Sequence, residues 1–122
     1  MSVSAACPCG QSTPYAGCCG PLHQGKATAS TAEQLMRSRY TAFVMHDAAY
    51  LRRTWSLATR PATIDFDPNR RWTALEIVGT TGGSPFHTEG TVEFNAHHST
   101  GVQHENSTFT REAGEWVYVA AL

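Results

Sequence analysis

The sequence predicts an α+β domain with a metal-stapled knuckle at its start. Three observations carry this. All four cysteines of the chain fall within residues 1–26, residues 30–57 repeat apolar side chains at helical spacing, and residues 72–121 alternate apolar and polar residues in four short runs. Helices first and strands afterwards argue for helices packed on an antiparallel sheet, not for a βαβ parallel sheet.

The chain of 122 residues is 41% hydrophobic, enough for one compact domain with a small appendage and too apolar for a disordered chain. Net charge is −1 with Lys26 as the single lysine, so nucleic-acid binding through a basic surface is not expected. No apolar run approaches the ~20 residues of a membrane span. The start, Met1–Ala6, lacks the basic and apolar stretches of a secretory leader, and the expected compartment is the cytoplasm. Charge is unevenly spread. Six basic and two acidic residues give 1–61 a net +4, whereas three basic and eight acidic residues give 62–122 a net −5. Such a split fits two segments that pack together or a polar pocket built from both.

Within 1–26 the cysteines read Cys7-Pro8-Cys9, then Cys18-Cys19, among glycines and prolines with few large apolar residues. A segment of this composition needs a staple. Disulfides require an oxidising compartment, and a bridge between the adjacent Cys18 and Cys19 would be strained. Two close thiolate pairs suit one tetrahedral zinc ion, at about 2.3 Å per bond. The expected ligands are therefore Cys7, Cys9, Cys18 and Cys19, with His23 as an alternative to one of the adjacent cysteines. A closed site of four thiolates is expected to be structural, and metal removal to disorder 1–26 while 30–122 stays folded.

Residues 30–57 begin at a candidate cap, Ser30 or Thr31, with Ser30 and Glu33 spaced as a capping box. Leu35, Met36, Tyr40, Phe43 and Val44 share a helical face. His46-Asp47 is the expected break, a second short helix runs over 48–55, and Arg60-Pro61 ends the segment. The strands are expected at 72–79, 90–97, 103–111 and 115–121. Turn residues at 82–85, 99–101 and 112–114 separate them, and the last two connections are short enough for a meander.

The stretch Cys7-Pro-Cys9-Gly10-Gln11-Ser12, with Tyr15 and Cys18-Cys19-Gly20-Pro21, resembles the SEC-C motif, with Cys19 where a common version has His. That zinc-binding motif also ends the bacterial preprotein translocase ATPase, where it contacts an export chaperone and ribosomes. Thr31 to Val44, Tyr50-Leu51 with Thr54-Trp55, Thr59-Arg60-Pro61, Gly90-Thr-Val-Glu-Phe94 and Glu105-Asn-Ser-Thr-Phe109 resemble the YchJ-like family of uncharacterised bacterial proteins. The resemblance implies a zinc knuckle over 1–26 and a nuclear transport factor 2-like domain over 30–122, a bent sheet wrapped on helices around a conical pocket.

Candidates for that pocket are Arg37, Arg39 and Tyr40 on the first helix, Trp55 beyond it, and Glu105, Ser107 and Phe109 on one side of the third strand. Arg37 has a competing partner in Glu33, four residues earlier. A buried Glu105 calls for a cation, and Arg37 or Arg39 is the expected partner. His97, His98 and His104 lie across a turn and offer a weaker second metal site. No phosphate-binding or dinucleotide glycine motif and no nucleophile elbow is present. The leading expectation is an accessory or binding protein. Its knuckle meets a protein partner and its cone takes a small ligand. The rival is an enzyme on a small organic molecule, with Glu105 or a histidine as acid/base.

Overall fold

A computed structural model describes residues 6–122. Residues 1–5, part of the segment read above for a leader, lie outside the described residues. The elements follow as α1 (Cys19–His23), α2 (Ala32–Met45), α3 (Ala48–Arg53), β1 (Trp72–Gly82), β2 (Glu89–His98), β3 (Gly101–Glu112) and β4 (Glu115–Ala121), with a 3-10 turn at Tyr15–Gly17 ahead of α1. The sheet has the sequential order β1-β2-β3-β4, and every pair is antiparallel. The α+β meander expected from the sequence is thus present, with β1 three residues longer than expected because Thr80, Thr81 and Gly82 keep pairing with β2. Register shifts in β1 and between Thr108 and Phe109 break the ladder, as bulges that bend strands do.

Helix α2 starts one residue later than the Ser30 cap would give. Thr31 is the N-cap, its hydroxyl accepting from Gln34 N–H at 3.0 Å, and Gln34 Oε1 reaches back to Ser30 N–H at 2.8 Å. The capping pair is therefore Thr31 and Gln34 instead of Ser30 and Glu33, because the Glu33 carboxylate is engaged by Arg37 Nε at 3.0 Å. The break at His46-Asp47 is real: His46 takes the left-handed conformation that ends α2, and the Asp47 carboxylate caps α3 by accepting from Tyr50 N–H at 3.0 Å. Helix α3 stops at Arg53, short of the expected Trp55. The chain after it turns to run beside β4, where Tyr118 N–H donates to Thr54 O at 2.8 Å and Ser56 N–H to Tyr118 O at 2.7 Å.

Helix α2 is buried on two sides. Leu35, Met36 and Tyr40 join Leu51, Val92, Phe94, Phe109 and Trp116 in the main core, while the Ser38 carbonyl and the Thr41 hydroxyl meet the cysteine segment. The core reaches into the first block through Leu22, which packs with the same cluster. Arg53 Nη2 donates to the carbonyls of Leu22 (3.2 Å) and His23 (3.1 Å), adding a polar tie across the same boundary.

Candidate metal centre and cone

The four cysteines converge. Their Sγ atoms all lie within 4.8 Å of one another, with Cys9 and Cys18 at 3.6 Å, and no disulfide joins them. Sulfurs on a tetrahedron with bonds of about 2.3 Å stand roughly 3.8 Å apart, so the donor set fits a zinc-sized ion in both chemistry and spacing. Local backbone makes this possible. Gly10 follows Cys9 at φ +95°, a left-handed turn that a side chain would strain, and at Gly20 a Cβ would stand 2.8 Å from Tyr15 O. In the metal-free protein the crowded thiols share protons unequally. Hydrogen bonding from Cys19 first pulls Cys9 down to about 5, whereas desolvation pushes Cys18 up to about 12; Cys19 is raised, chiefly through its bond to Cys9.

Groups around the cluster hold it from α2. Thr41 Oγ1 donates to Cys19 Sγ at 3.4 Å and lies 3.7 Å from Cys7 Sγ, and Arg37 Nη1 donates to Cys9 O at 2.6 Å. This is where the structure places Arg37. With Nε on Glu33, it belongs to the knuckle and not to the pocket expected for it. His23 is likewise not among the converging ligands. Its Nε2 faces Ser38 O at 2.8 Å and must carry the proton, so Nδ1 accepts from Tyr15 OH at 2.8 Å. With its side chain 4% exposed and its ring 4.5 Å from that of Tyr50, His23 pins α1 to α2.

On the other side of α2 a cavity of about 260 Å³ opens between helix and sheet. Met36, Arg39, Tyr40 and Phe43 form the helical wall, and Phe94, Ala96, Gln103, Glu105 and Ser107 the sheet wall. Trp55, Tyr118, Arg70 and Trp72 complete it. The alternation read for β3 holds for Glu105 and Ser107, whereas Phe109 lies deeper, 2% exposed in the core, and does not line the cavity. Arg70, Trp72, Phe94, Gln103 and Tyr118 were not expected. Arg70, two residues ahead of the first strand's tryptophan, is a cation beside an aromatic that the sequence displays.

Arg39 is 3% exposed. Its Nη1 donates to Leu51 O (2.8 Å) and Thr54 Oγ1 (2.7 Å), and its guanidinium carbon lies 4.9 Å from the Trp55 ring centre and 4.7 Å from that of Tyr118. Burial pulls this guanidinium down to about 10, so it remains charged at neutral pH. Glu105 does not pair with Arg37 or Arg39 as expected. It is half-buried, and its Oε2 accepts from Ser107 Oγ (2.5 Å) and Tyr118 OH (3.4 Å). The reason is that Arg39 spends its reach on the α3 end and is held there between two rings. Among the described residues no carboxylate lies within ion-pair distance of Arg39 or Arg70. The Trp55 indole N–H and Arg70 Nε are also buried with no hydrogen-bond partner among the described residues.

The histidines of the β2–β3 turn do not gather. His97 Nε2 lies 3.6 Å from Glu76, His104 Nε2 2.7 Å from Glu93, and His98 Nδ1 3.1 Å from Thr100 Oγ1. The cysteine cluster is the one grouping among the described residues that could hold a metal ion.

A helix-backed antiparallel meander around a cone, joined to a four-cysteine knuckle, defines a SEC-C-bearing protein of the nuclear transport factor 2-like class. The family model "YchJ, middle NTF2-like domain" matches residues 31–121. A UPF0225 protein of Streptomyces avermitilis is 58% identical over 115 residues, covering 94% of this chain and 82% of its own, and one of Streptomyces coelicolor is 59% identical over 112 residues, covering 92% and 90%. The chain belongs to this YchJ-like, UPF0225 family. Its fold is similar to the solution structure of a SEC-C motif containing protein from Rhodopseudomonas palustris, with TM-score 0.82 and 31% identity over 96% of this chain and 97% of that one. A SEC-C motif containing protein from Psychrobacter arcticus gives TM-score 0.77 at 30% identity, covering 94% and 80%.

Proposed function

We propose that this chain is a small cytoplasmic zinc-binding accessory protein whose cone takes a small ligand. The observation that carries the reading is the contrast in the cavity itself: an aromatic chamber of about 260 Å³ whose buried cation, Arg39, has no carboxylate within ion-pair distance among the described residues. Four thiol donors on a tetrahedral spacing support zinc at the knuckle, and thiols kept as a ligand set, not as disulfides, support a reducing compartment. No helix of the described residues is long and apolar enough to cross a membrane. The knuckle's outer surface is the part offered to a protein partner, since its inner side is taken by α2.

Binding is favoured over the rival acid–base chemistry by the make-up of the lining. Glu105 is its one carboxylate, and it holds no histidine among the described residues. The test has two arms. Metal analysis of untagged protein purified under reducing conditions should give close to one zinc per chain. Thermal-shift screening of a mixed metabolite panel should then find compounds that raise the unfolding temperature of the wild-type protein, without turnover on prolonged incubation. Zinc far below stoichiometry overturns the metal assignment, and a panel without a single stabilising compound overturns the binding cone.

A further inference from the structure

The cone carries more information than that it is hollow. Its lining residues charged at neutral pH are Arg39, Arg70 and Glu105, an excess of one positive charge. Arg39 has given Nη1 to Leu51 and Thr54 and lies between two rings, and Glu105 acts on its charge only from beyond ion-pair distance. A buried cation without an anion is costly, and a bound anion relieves that cost. Arg70 adds a second guanidinium, 5.5 Å from the Trp72 ring centre, whose Nε is an orphaned donor. Opposite in character is Glu105. Both hydrogen bonds it accepts fall on Oε2, so Oε1 has no partner among the described residues and is free to accept another.

We propose that the cone binds a small aromatic carboxylate carrying a hydroxyl or amino donor away from its acid group. The acid is held by Arg70, whose Nε lacks a partner among the described residues, the ring lies among the aromatic walls, and the donor is received by Glu105. This rests on the reading of the cone as a binding cavity and names what fills it. The size agrees: about 260 Å³ lies just below the ~300–1,000 Å³ of pockets for drug-sized ligands, which leaves room for one substituted ring. The walls agree as well, because Tyr40, Phe43, Trp72 and Phe94 present ring surface on which a flat apolar body packs.

The experiment titrates full-length, metal-loaded protein with four matched probes and follows the indole N–H resonances of Trp55 and Trp72 by NMR. The probes are 4-hydroxybenzoate, its neutral amide, 4-methoxybenzoate, which lacks the donor, and tyramine, which carries a cation. Saturable shifts with 4-hydroxybenzoate are expected, at least tenfold weaker binding of the amide and the amine, and several-fold weaker binding of the methoxy acid. Because Arg39 also secures the end of α3, Arg70→Gln is the variant of choice. It should keep the parent's unfolding temperature and weaken the acid at least tenfold. If the amide binds within twofold of the acid, if tyramine binds tighter, or if Arg70→Gln binds the acid like the parent, the charge reading is overturned while the binding cone stands. If none of the four probes moves either indole at millimolar concentration, the aromatic-carboxylate proposal falls, while the binding cone is decided by the metabolite panel.

Discussion

The two sides of helix α2 face opposite kinds of chemistry. Toward the knuckle, polar groups find partners: both ring nitrogens of His23, the Arg37 guanidinium, the Ser38 carbonyl and the Thr41 hydroxyl. Toward the cone, a buried guanidinium has no carboxylate within ion-pair distance, and two buried donors lack acceptors, among the described residues. Buried polar groups are as a rule satisfied, because leaving one unsatisfied costs about 1–3 kcal/mol. The difference separates a region whose task is finished on folding from one that is completed by something else.

The strongest way to break that contrast is to remove the zinc proposed for the knuckle. Structural zinc contributes on the order of 10 kcal/mol or more in small zinc-dependent folds. Cys7→Ser/Cys18→Ser should lose most of the bound zinc, and metal analysis reads this directly. In the same variant the amide signals of residues 6–26 should collapse, and those of α2 from Arg37 to Thr41 should shift, while the sheet keeps its dispersion. The sequence alone expects 30–122 to be untouched; the ties through Leu22, His23, Arg53 and Thr41 carry the disturbance one helix further. Retention of more than half the zinc would remove the cysteines from the argument.

Next in size is Phe109→Ala. This ring is in the core and not in the cavity, so truncation should cost about 3–5 kcal/mol by denaturant unfolding. Ligand titrations at a temperature where the variant is folded should be unchanged.

Alkaline pH acts on the buried tyrosines on both sides of α2. Burial pushes Tyr40 up to about 12 and raises Tyr50 and Tyr118 as well. Groups with raised folded values give their full stability below the unfolded value near 10, and lose it as pH climbs through the folded value. Arg39, lowered by burial to about 10, works the other way, because losing its proton relieves an unpaired charge. Tyr40, Tyr50 and Tyr118 all act in one direction, so the unfolding temperature should fall between pH 10 and 12 as tyrosinate absorbance rises. A flat profile would mean that these rings titrate freely.

The smallest effect belongs to Glu105. A broken buried ion pair would cost about 3–5 kcal/mol, but Glu105 has two hydroxyl donors and no cation. Glu105→Ala should cost no more than about 2 kcal/mol and Glu105→Gln less than about 1 kcal/mol in denaturant titrations. A loss near the ion-pair figure would restore the Arg39–Glu105 pairing.

What the sequence displayed and what it hid follow from the range of the interactions. Cysteine spacing, a cap at Ser30 or Thr31, the break at His46-Asp47 and the strand alternation at Glu105 and Ser107 are all local, and they could be read. The choice between Arg37 and Arg39 is not local. It is decided by the Cys9 carbonyl on one side and by Trp55 and Tyr118 on the other, groups that only the folded chain brings near. His23 was hidden for the same reason: an isolated histidine in a glycine-rich segment gives no sign of Tyr15, Ser38 and Tyr50 around it.

The closing contacts of the fold also set an order in time. The sheet pairs only sequential neighbours, so each hairpin can form as soon as its own residues are available. By contrast, Trp116 Nε1 donates to Ser30 O at 3.2 Å, and Tyr118 exchanges backbone bonds with the 54–56 stretch. During synthesis, at ~5–20 residues per second, the helices therefore emerge several seconds before their last strand. Through that interval the apolar face of α2 and the end of α3 have no β4 to cover them. A nascent chain stalled before Trp116 should accordingly be protease-sensitive at 54–60, whereas one that has exposed Ala121 should resist cleavage there.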